Sequence, residues 1–210
     1  YSKARVKPSE LASYEDLAAS KWKGRIVARS STNIYNQSLL ASIVAAAGME
    51  KATAWAMAVR SNMARPPEGS DRDQIRAVAA GIADVAIANT YYVGLLANSP
   101  DPKDREVAGK IGVFFPNQSG RGAHINVSGG GVIKSAPNRN NGIKLLEFLT
   151  GPYAQASFPE TTYEYPLDIS GTQSKLLKSW GEFKADMLSL QTLGEKNAAA
   201  VKIFARVRWK

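Results

Sequence analysis

Short apolar segments alternate along this chain with longer segments of helical periodicity, and this alternation limits the folds available to it. Residues 24–29 and 84–88 have strand character, and each segment is followed by a polar loop and then by a helical pattern. Further strands are predicted at 111–115 and 124–127. This order of elements is typical of an α/β architecture, so we expect mixed sheets flanked by helices.

The helical segments are bounded by recognisable signals. A helix is predicted to begin at 39–44, and a second one to run from Glu50 to about Met63, before a Pro-Pro pair. Asp71 and Gln74 have the spacing of a capping box, which predicts a helix from Asp71 to Gly81. Further helices are predicted to begin at Tyr91–Tyr92 and to cover 141–149, 174–190 and 195–204.

Composition excludes several kinds of chemistry. The chain has no cysteine and a single histidine, His124, which excludes thiolate metal sites and makes a histidine-rich zinc or copper site unlikely. We find no acid–base pair or nucleophile with supporting context, so the chain is not expected to be an enzyme. No apolar run reaches the roughly 20 residues of a membrane-spanning helix, and the basic residues at the start do not resemble an export signal.

Two loops carry tyrosines where an α/β sheet binds its ligands. Ligands of such sheets lie beyond the carboxyl ends of the strands, and the loops 30–35 and 89–92 both have that position. Adjacent residues of an extended strand face opposite ways, so Tyr91 and Tyr92 can share one ion only at a turn or at the start of a helix. A hard trivalent cation prefers anionic oxygen such as phenolate. A Tyr-Tyr pair taken alone is more often packing than a site.

The motifs that surround these tyrosines resemble a known family. Residues 30–37, 71–81, 88–92 and 124–129, in this order, are similar to the ferric-iron-binding proteins of bacterial ABC importers, and the cyanobacterial branch fits best. The resemblance implies a class II, transferrin-like periplasmic binding protein. Such a protein carries Fe³⁺ as cargo to an inner-membrane ABC permease, and it works in the periplasm or another extracytoplasmic space. It implies Tyr35, Tyr91 and Tyr92 as metal ligands and Ser31, Asn33 and Asn89 as residues that orient them. Tyr163, His124 and Arg65 are further candidates.

The resemblance also predicts how the chain divides between two lobes. Residues 1–121 and 173–210 correspond to the second lobe, which carries the tyrosines, and residues 122–172 correspond to part of the first lobe. About the first third of the family's chain has no counterpart, so the first lobe is incomplete. We expect that segment to be a partner, in cis or as a separate chain, and the complete protein to be a monomer.

Two other functions remain open from the residues. The same fold could bind ferrous iron, or a small oxyanion or carboxylate at helix N-termini. The net charge of +9 could instead reflect a basic module that binds an anionic polymer. The basic residues form no long block and no nucleic-acid motif, so nucleic acid is not expected as a partner.

Overall fold

The computed structural model describes residues 1–171 and 174–210. These residues form two short strands, β1 (Ile26–Val27) and β2 (Val85–Ala86), together with eight α-helices and several 3-10 turns. None of the helices in the described ranges is both long and apolar enough to cross a bilayer. The α-helices are α1 (Ile34–Ser61), α2 (Asp71–Ala79), α3 (Tyr91–Ala97), α4 (Pro102–Gly109), α5 (Arg139–Thr150), α6 (Pro152–Thr161), α7 (Lys175–Ser179) and α8 (Leu190–Val207).

The chain divides into two compact units. The first contains Tyr1–Asn126 and Phe183–Lys210, and the second contains Val127–Glu182. The first unit therefore extends beyond the expected boundary at 121/122, because Ala123 forms a parallel bridge with Ala185 of the returning chain. The other expected boundary, at 172/173, falls on residues outside the described ranges. The assignment of the units to lobes of a larger protein stays a prediction.

The strands are shorter and fewer than the sequence predicts. β1 and β2 pair in parallel, with Ile26 opposite Val85 and Val27 opposite Ala86. The segments 111–115 and 124–127 form no regular strand. The first has an isolated bridge from Ile111 to Ser2, and the second is preceded by one from Ala123 to Ala185. The parallel pair nevertheless places the carboxyl ends of β1 and β2 at the same edge.

The core of the first unit lies between α1 and α8. Leu40 and Trp55 of α1 pack with Phe204 of α8 and with Trp209 just beyond it. Gly48 has non-helical backbone, with a φ of 82° and a ψ of 167°, so the range of α1 contains two helices separated by a kink, as the sequence predicts. Arg208 adopts left-handed backbone at the end of α8. The chain then turns back, and the backbone N–H of Trp209 donates to the carbonyl of Phe204.

Two predicted helix boundaries were wrong. The N-cap of α2 is Ser70, not Asp71: the Ser70 side chain accepts from the N–H of Asp73, and the Asp73 carboxylate accepts from the N–H of Ser70. The predicted helix over 174–190 ends at Ser179, because Gly181 follows with a φ of 87°. Residues 183–186 are instead held by the loop before Ala123, through Gln118 and Gly120.

The second unit is small and mostly helical. α5 has no buried residue, and α6 buries Ala154 and Pro159. Several large apolar side chains of the unit are exposed, among them Leu145, Phe148 and Tyr153. Pro152 starts α6 where its missing N–H costs nothing, which explains a helix that the Gly151-Pro152 stop signal did not predict.

A substitution at Gly122 is expected to destabilise the first unit. Gly122 has a φ of +97°, and a Cβ there would lie 2.6 Å from the carbonyl oxygen of Lys184. We expect Gly122→Ala to lower the free energy of unfolding by about 1–3 kcal/mol, measured by urea denaturation. Gly109→Ala is the matched control, because a Cβ there meets no atom within 4 Å. Equal midpoints for the two variants would contradict this expectation.

Candidate functional site

The two loops that follow the strands bring the predicted tyrosines to one edge of the sheet. Tyr35 is the second residue of α1, which begins a few residues after β1. Tyr91 and Tyr92 are the first two residues of α3, which begins shortly after β2. Since β1 and β2 are parallel, both helices begin on the same side. The adjacent tyrosines thus have the helix-start position that a shared ligand requires.

The three phenol side chains form a cluster. The hydroxyl oxygens of Tyr35 and Tyr91 lie 3.0 Å apart. The rings of Tyr91 and Tyr92 have centroids 4.2 Å apart at an interplanar angle of 34°. Burial, and then hydrogen bonding with Tyr35 and Tyr92, raise the pKa of Tyr91 well above the ordinary value for a phenol. With no cation present, the Tyr91 phenol is therefore held in its protonated, neutral form at neutral pH.

The first turn of α1 supports the loop before Tyr35. Asn33 caps the helix, its side chain accepting from the N–H of Asn36 at 3.1 Å. The Asn36 amide donates to the carbonyl of Arg29 at 2.8 Å, and the Gln37 amide donates to the carbonyl of Ser31 at 2.9 Å. Side chains of the helix thus hydrogen-bond to the carbonyls of the loop, and these bonds fix the position of Tyr35 at the start of the helix.

A partly buried ion pair also holds this loop. The Arg29 guanidinium donates to the carboxylate of Asp71 at 2.7 Å, and only 3% of the Asp71 side chain is exposed. Asp71 was predicted as a helix cap, and this expectation was wrong. Ser70 already caps α2, which leaves the Asp71 carboxylate free to face Arg29. No signal in the sequence paired these residues.

A chain of polar side chains connects α1 to Asn89. His124 contacts the Ser38 hydroxyl through Nε2 at 2.9 Å, and the Asn126 amide donates to the side-chain oxygen of Asn89 at 2.9 Å. Burial lowers the pKa of His124 to about 4, so the imidazole is neutral near pH 7. The Asn89 Nδ2 is buried and has no hydrogen-bond partner in the described part of the chain. Sequence reasoning did not identify Ser38 or Asn126.

The two remaining candidates, Arg65 and Tyr163, have their recorded contacts or positions elsewhere in the described chain. Arg65 pairs with Glu68 and approaches the Gln74 side chain at 3.5 Å, and it does not line the cavity next to Tyr35. Tyr163 belongs to the second unit, where it has left-handed backbone with a φ of 61° just after α6.

The donor set of the site is made of phenol oxygens and amides. Within residues 1–171 and 174–210, histidine, aspartate and glutamate side chains form no group of three that could hold a metal ion. The tyrosine hydroxyls at this edge become anionic oxygen ligands when they lose their protons. Hard trivalent cations favour oxygen donors of this kind.

Solved structures identify the class of protein that has this fold. One similar structure is that of Trichodesmium IdiA (FutA) in complex with iron and citrate. Its sequence is 53% identical and its TM-score is 0.96, and the match covers 100% of this chain and 66% of that chain. The ferric binding protein of Campylobacter jejuni is 43% identical with a TM-score of 0.92, over 100% of this chain and 67% of that chain. The predicted fold class, a class II periplasmic binding protein, is confirmed for the part that the chain spans.

The family follows from the sequence match. Residues 3–183 match the model for "bacterial extracellular solute-binding protein", and the chain belongs to this family of binding proteins rather than to an enzyme family. Iron uptake protein A1 of Synechocystis sp. is 52% identical over 100% of this chain, which covers 58% of that protein. The predicted resemblance to cyanobacterial ferric-iron-binding proteins is therefore confirmed, and the chain spans about three fifths of the length of such a relative.

Proposed function

We propose that this chain is the ligand-bearing part of a substrate-binding protein that captures ferric iron with the phenolates of Tyr35, Tyr91 and Tyr92. The observation that supports it most is the 3.0 Å approach of the Tyr35 and Tyr91 hydroxyls, which lie on different helices and at separate strand ends. The names of the relatives point to the same cargo, since one is an iron uptake protein and another was solved with iron and citrate.

The charge of the ion explains why phenols suit it. Deprotonating the cluster alone would place three negative charges together in a half-buried site, which the raised pKa of Tyr91 opposes. A trivalent cation among three phenolates gives a net charge of zero, so the occupied site carries no uncompensated charge. A divalent cation would leave one negative charge. This difference favours ferric over ferrous iron.

The polar residues around the tyrosines have supporting roles in this proposal. The unpaired Nδ2 of Asn89 can donate to a phenolate or to a small anion bound with the metal. Asn33 and Ser31 act through α1, because one caps the helix and the carbonyl of the other is held by Gln37. We assign His124 a positioning role, because its ring contacts Ser38 of α1 and interacts with the side chain of Asn126, which donates to Asn89.

The full transport function belongs to a longer protein. We infer that the complete protein is extracytoplasmic and delivers iron to an inner-membrane ABC permease as a monomer. The segment that its relatives have and this chain does not match is then a partner that completes the first lobe. Three ligands leave coordination positions open to water or buffer anions, so the chain alone binds iron more weakly and exchanges it faster.

Binding to an anionic polymer is not favoured by the distribution of charge. Residues 21–25 form one of the denser basic segments of the chain. Two of its cations have acidic partners: Lys21 pairs with Asp16 at 2.9 Å, and Arg25 pairs with Asp84 at 2.6 Å. Both cations also approach the ring of Trp22. Nucleic acid would find few unpaired cations in this segment.

The test of the proposal is the colour of the iron complex. Protein loaded with ferric citrate and desalted is expected to show a visible phenolate-to-iron charge-transfer band, and Tyr92→Phe to weaken it because one phenolate is lost. Tyr153→Phe is the control, since Tyr153 is exposed and lies in the second unit. A colourless protein, or a band unchanged in Tyr92→Phe, would sink the proposal. Calorimetry with ferrous iron and oxyanions separates the other cargoes.

A further inference from the structure

The contact between Tyr35 and Tyr91 joins two side chains that can each lose one electron. Their hydroxyl oxygens lie 3.0 Å apart, and both side chains are half-buried at the starts of α1 and α3. Among the side chains of proteins, one-electron oxidants attack thiols, indoles and phenols. The chain has no cysteine, so no thiol competes with the phenols for such an oxidant.

The other oxidisable side chains compete weakly. Three of the four tryptophans, Trp22, Trp55 and Trp209, are buried in the core, where a dissolved oxidant does not reach their indole rings. The exposed methionines, such as Met57 and Met187, react with peroxides by taking up an oxygen atom. That reaction removes two electrons at once and leaves no radical. One-electron oxidation is therefore directed mainly to the tyrosines.

The hydrogen bond between the two phenols assists the loss of the electron. A phenol that has lost an electron is strongly acidic and passes its proton to an acceptor within hydrogen-bond distance. The hydroxyl oxygen of the other tyrosine accepts that proton, whichever of Tyr35 and Tyr91 is oxidised first. The oxidised side chain is then a neutral phenoxyl radical beside a second phenol.

Other tyrosine hydroxyls have backbone partners instead. The hydroxyl of Tyr14 has a hydrogen bond with the backbone of His124. The hydroxyl of Tyr165 donates to the carbonyl of Leu177 at 3.4 Å. A radical formed at either of these side chains faces a peptide group, which does not couple with it.

The positions of the two rings favour coupling between them. In a phenoxyl radical, the ring carbons next to the oxygen-bearing carbon share the unpaired electron, and the hydroxyl contact brings these carbons of the two rings close. Asn33 and Asn36 fix the loop before Tyr35, so the Tyr35 ring is held beside Tyr91. Two reactive groups held together in this way react far faster than the same groups free in solution. Tyr92 also contacts Tyr91, but the two are consecutive residues of one helix, which restricts how their rings can join.

We propose that Tyr35 and Tyr91 are a site of oxidative cross-linking, where an activated peroxide converts the two phenols to dityrosine. Each phenol loses one electron and one proton, and the two radicals join by a carbon–carbon bond between ring carbons next to the hydroxyls. The ring hydrogens at those carbons then move to the oxygens, so the pair loses two electrons and two protons in total. The peroxide accepts the two electrons as its O–O bond breaks.

A bound trivalent cation is expected to slow this reaction, and this part alone rests on the proposed metal site. A cation between the oxygens replaces the hydrogen bond of Tyr35 and Tyr91 and holds the two rings around itself. The ring carbons then meet less often. The cross-link would thus mark the protein in its unloaded state, and it would tie the start of α1 to the start of α3.

The experiment oxidises the unloaded protein with persulfate, a peroxide, activated by visible light and the tris-bipyridine complex of ruthenium(II). Dityrosine is measured by its fluorescence in protein that remains monomeric. The linked residues are identified by mass spectrometry after digestion, since a linked pair of peptides has lost two hydrogen atoms. Tyr35→Phe removes one partner. Tyr153→Phe is the matched control, because Tyr153 is exposed in the second unit.

Monomeric wild-type protein is expected to yield peptides linked through Tyr35 and Tyr91. Tyr35→Phe is expected to lower the dityrosine yield of the monomer by about tenfold or more, and Tyr153→Phe to leave it unchanged. Equal yields in wild type and Tyr35→Phe would overturn the proposal, and so would linked peptides that join Tyr91 to Tyr92 without Tyr35. If Tyr35→Phe does not fold, the peptide map of the wild type still decides the question.

Gallium(III) separates the cross-link from the proposed metal site, because it is a trivalent cation without redox activity. Protein equilibrated with gallium is expected to form less dityrosine than the unloaded protein. An equal yield of peptides linked through Tyr35 and Tyr91 with and without gallium would support the cross-link. The same result would contradict the role of these two tyrosines as metal ligands.

Discussion

Loading one ferric ion into this protein is expected to release three protons near pH 7. A phenol has an ordinary pKa near 10. Burial with hydrogen bonding raises the pKa of Tyr91 further, so Tyr91 is protonated in the empty site. Each phenolate that binds the metal must lose its proton first. The affinity then rises with pH by about one decade per pH unit for each phenolate, and it falls as the pH falls, because protons compete for the same oxygens.

The number of protons released distinguishes phenolate ligation from weaker alternatives. Titration calorimetry in two buffers of different ionisation enthalpy measures that number directly. Tyr35→Phe is expected to release two protons and to lose one decade per pH unit from the slope, and Tyr153→Phe to release three. Release that is identical in wild type and Tyr35→Phe would mean that Tyr35 is not a ligand. Release of no protons would exclude phenolate binding altogether.

The location of the candidate site could be predicted from the sequence because its signals are local. Tyr35, Tyr91 and Tyr92 each follow an apolar segment and a polar loop, and the rule for ligands of parallel sheets places both loops at one edge. The contacts that fix the loops could not be predicted. Arg29 and Asp71 are 42 residues apart, and Asn126 reaches Asn89 across 37 residues. Such pairings depend on tertiary packing, which periodicity does not encode.

The errors in the fold have a similar origin. Hydrophobic pattern marks 111–115 as a strand, but a strand needs a neighbour, and this segment pairs with the described chain only near Tyr1 and Ser2. The cap of α2 was misplaced by one residue because Ser70 and Asp71 are both good N-cap residues. The division of α1 into two helices, by contrast, was predicted, because Gly48 interrupts the helical pattern and has non-helical backbone.

Removing the side chain of Trp209 is expected to cost the protein about 3–5 kcal/mol of unfolding free energy. Only 2% of Trp209 is exposed, and its ring lies 5.1 Å from that of Phe204 and 6.3 Å from that of Trp55. Its indole N–H donates to the carbonyl of Arg29 at 2.9 Å. Trp209→Ala therefore leaves a cavity between α1 and α8 and loosens the loop that leads to Tyr35. We expect Tm to fall by roughly 6–20 °C in calorimetry.

Trp209→Phe is the milder change, because it retains an aromatic ring in the core and removes only part of the burial together with the hydrogen bond. Its expected cost is about 1–2 kcal/mol, clearly less than that of alanine. If the alanine variant does not fold, the phenylalanine variant still reports the combined loss of the hydrogen bond to Arg29 and part of the burial. A Tm in Trp209→Ala within a degree or two of wild type would contradict the packing described here. It would also show that the loop before Tyr35 is held by Asn36 and Asp71 without help from α8, since these two side chains are its other anchors at Arg29.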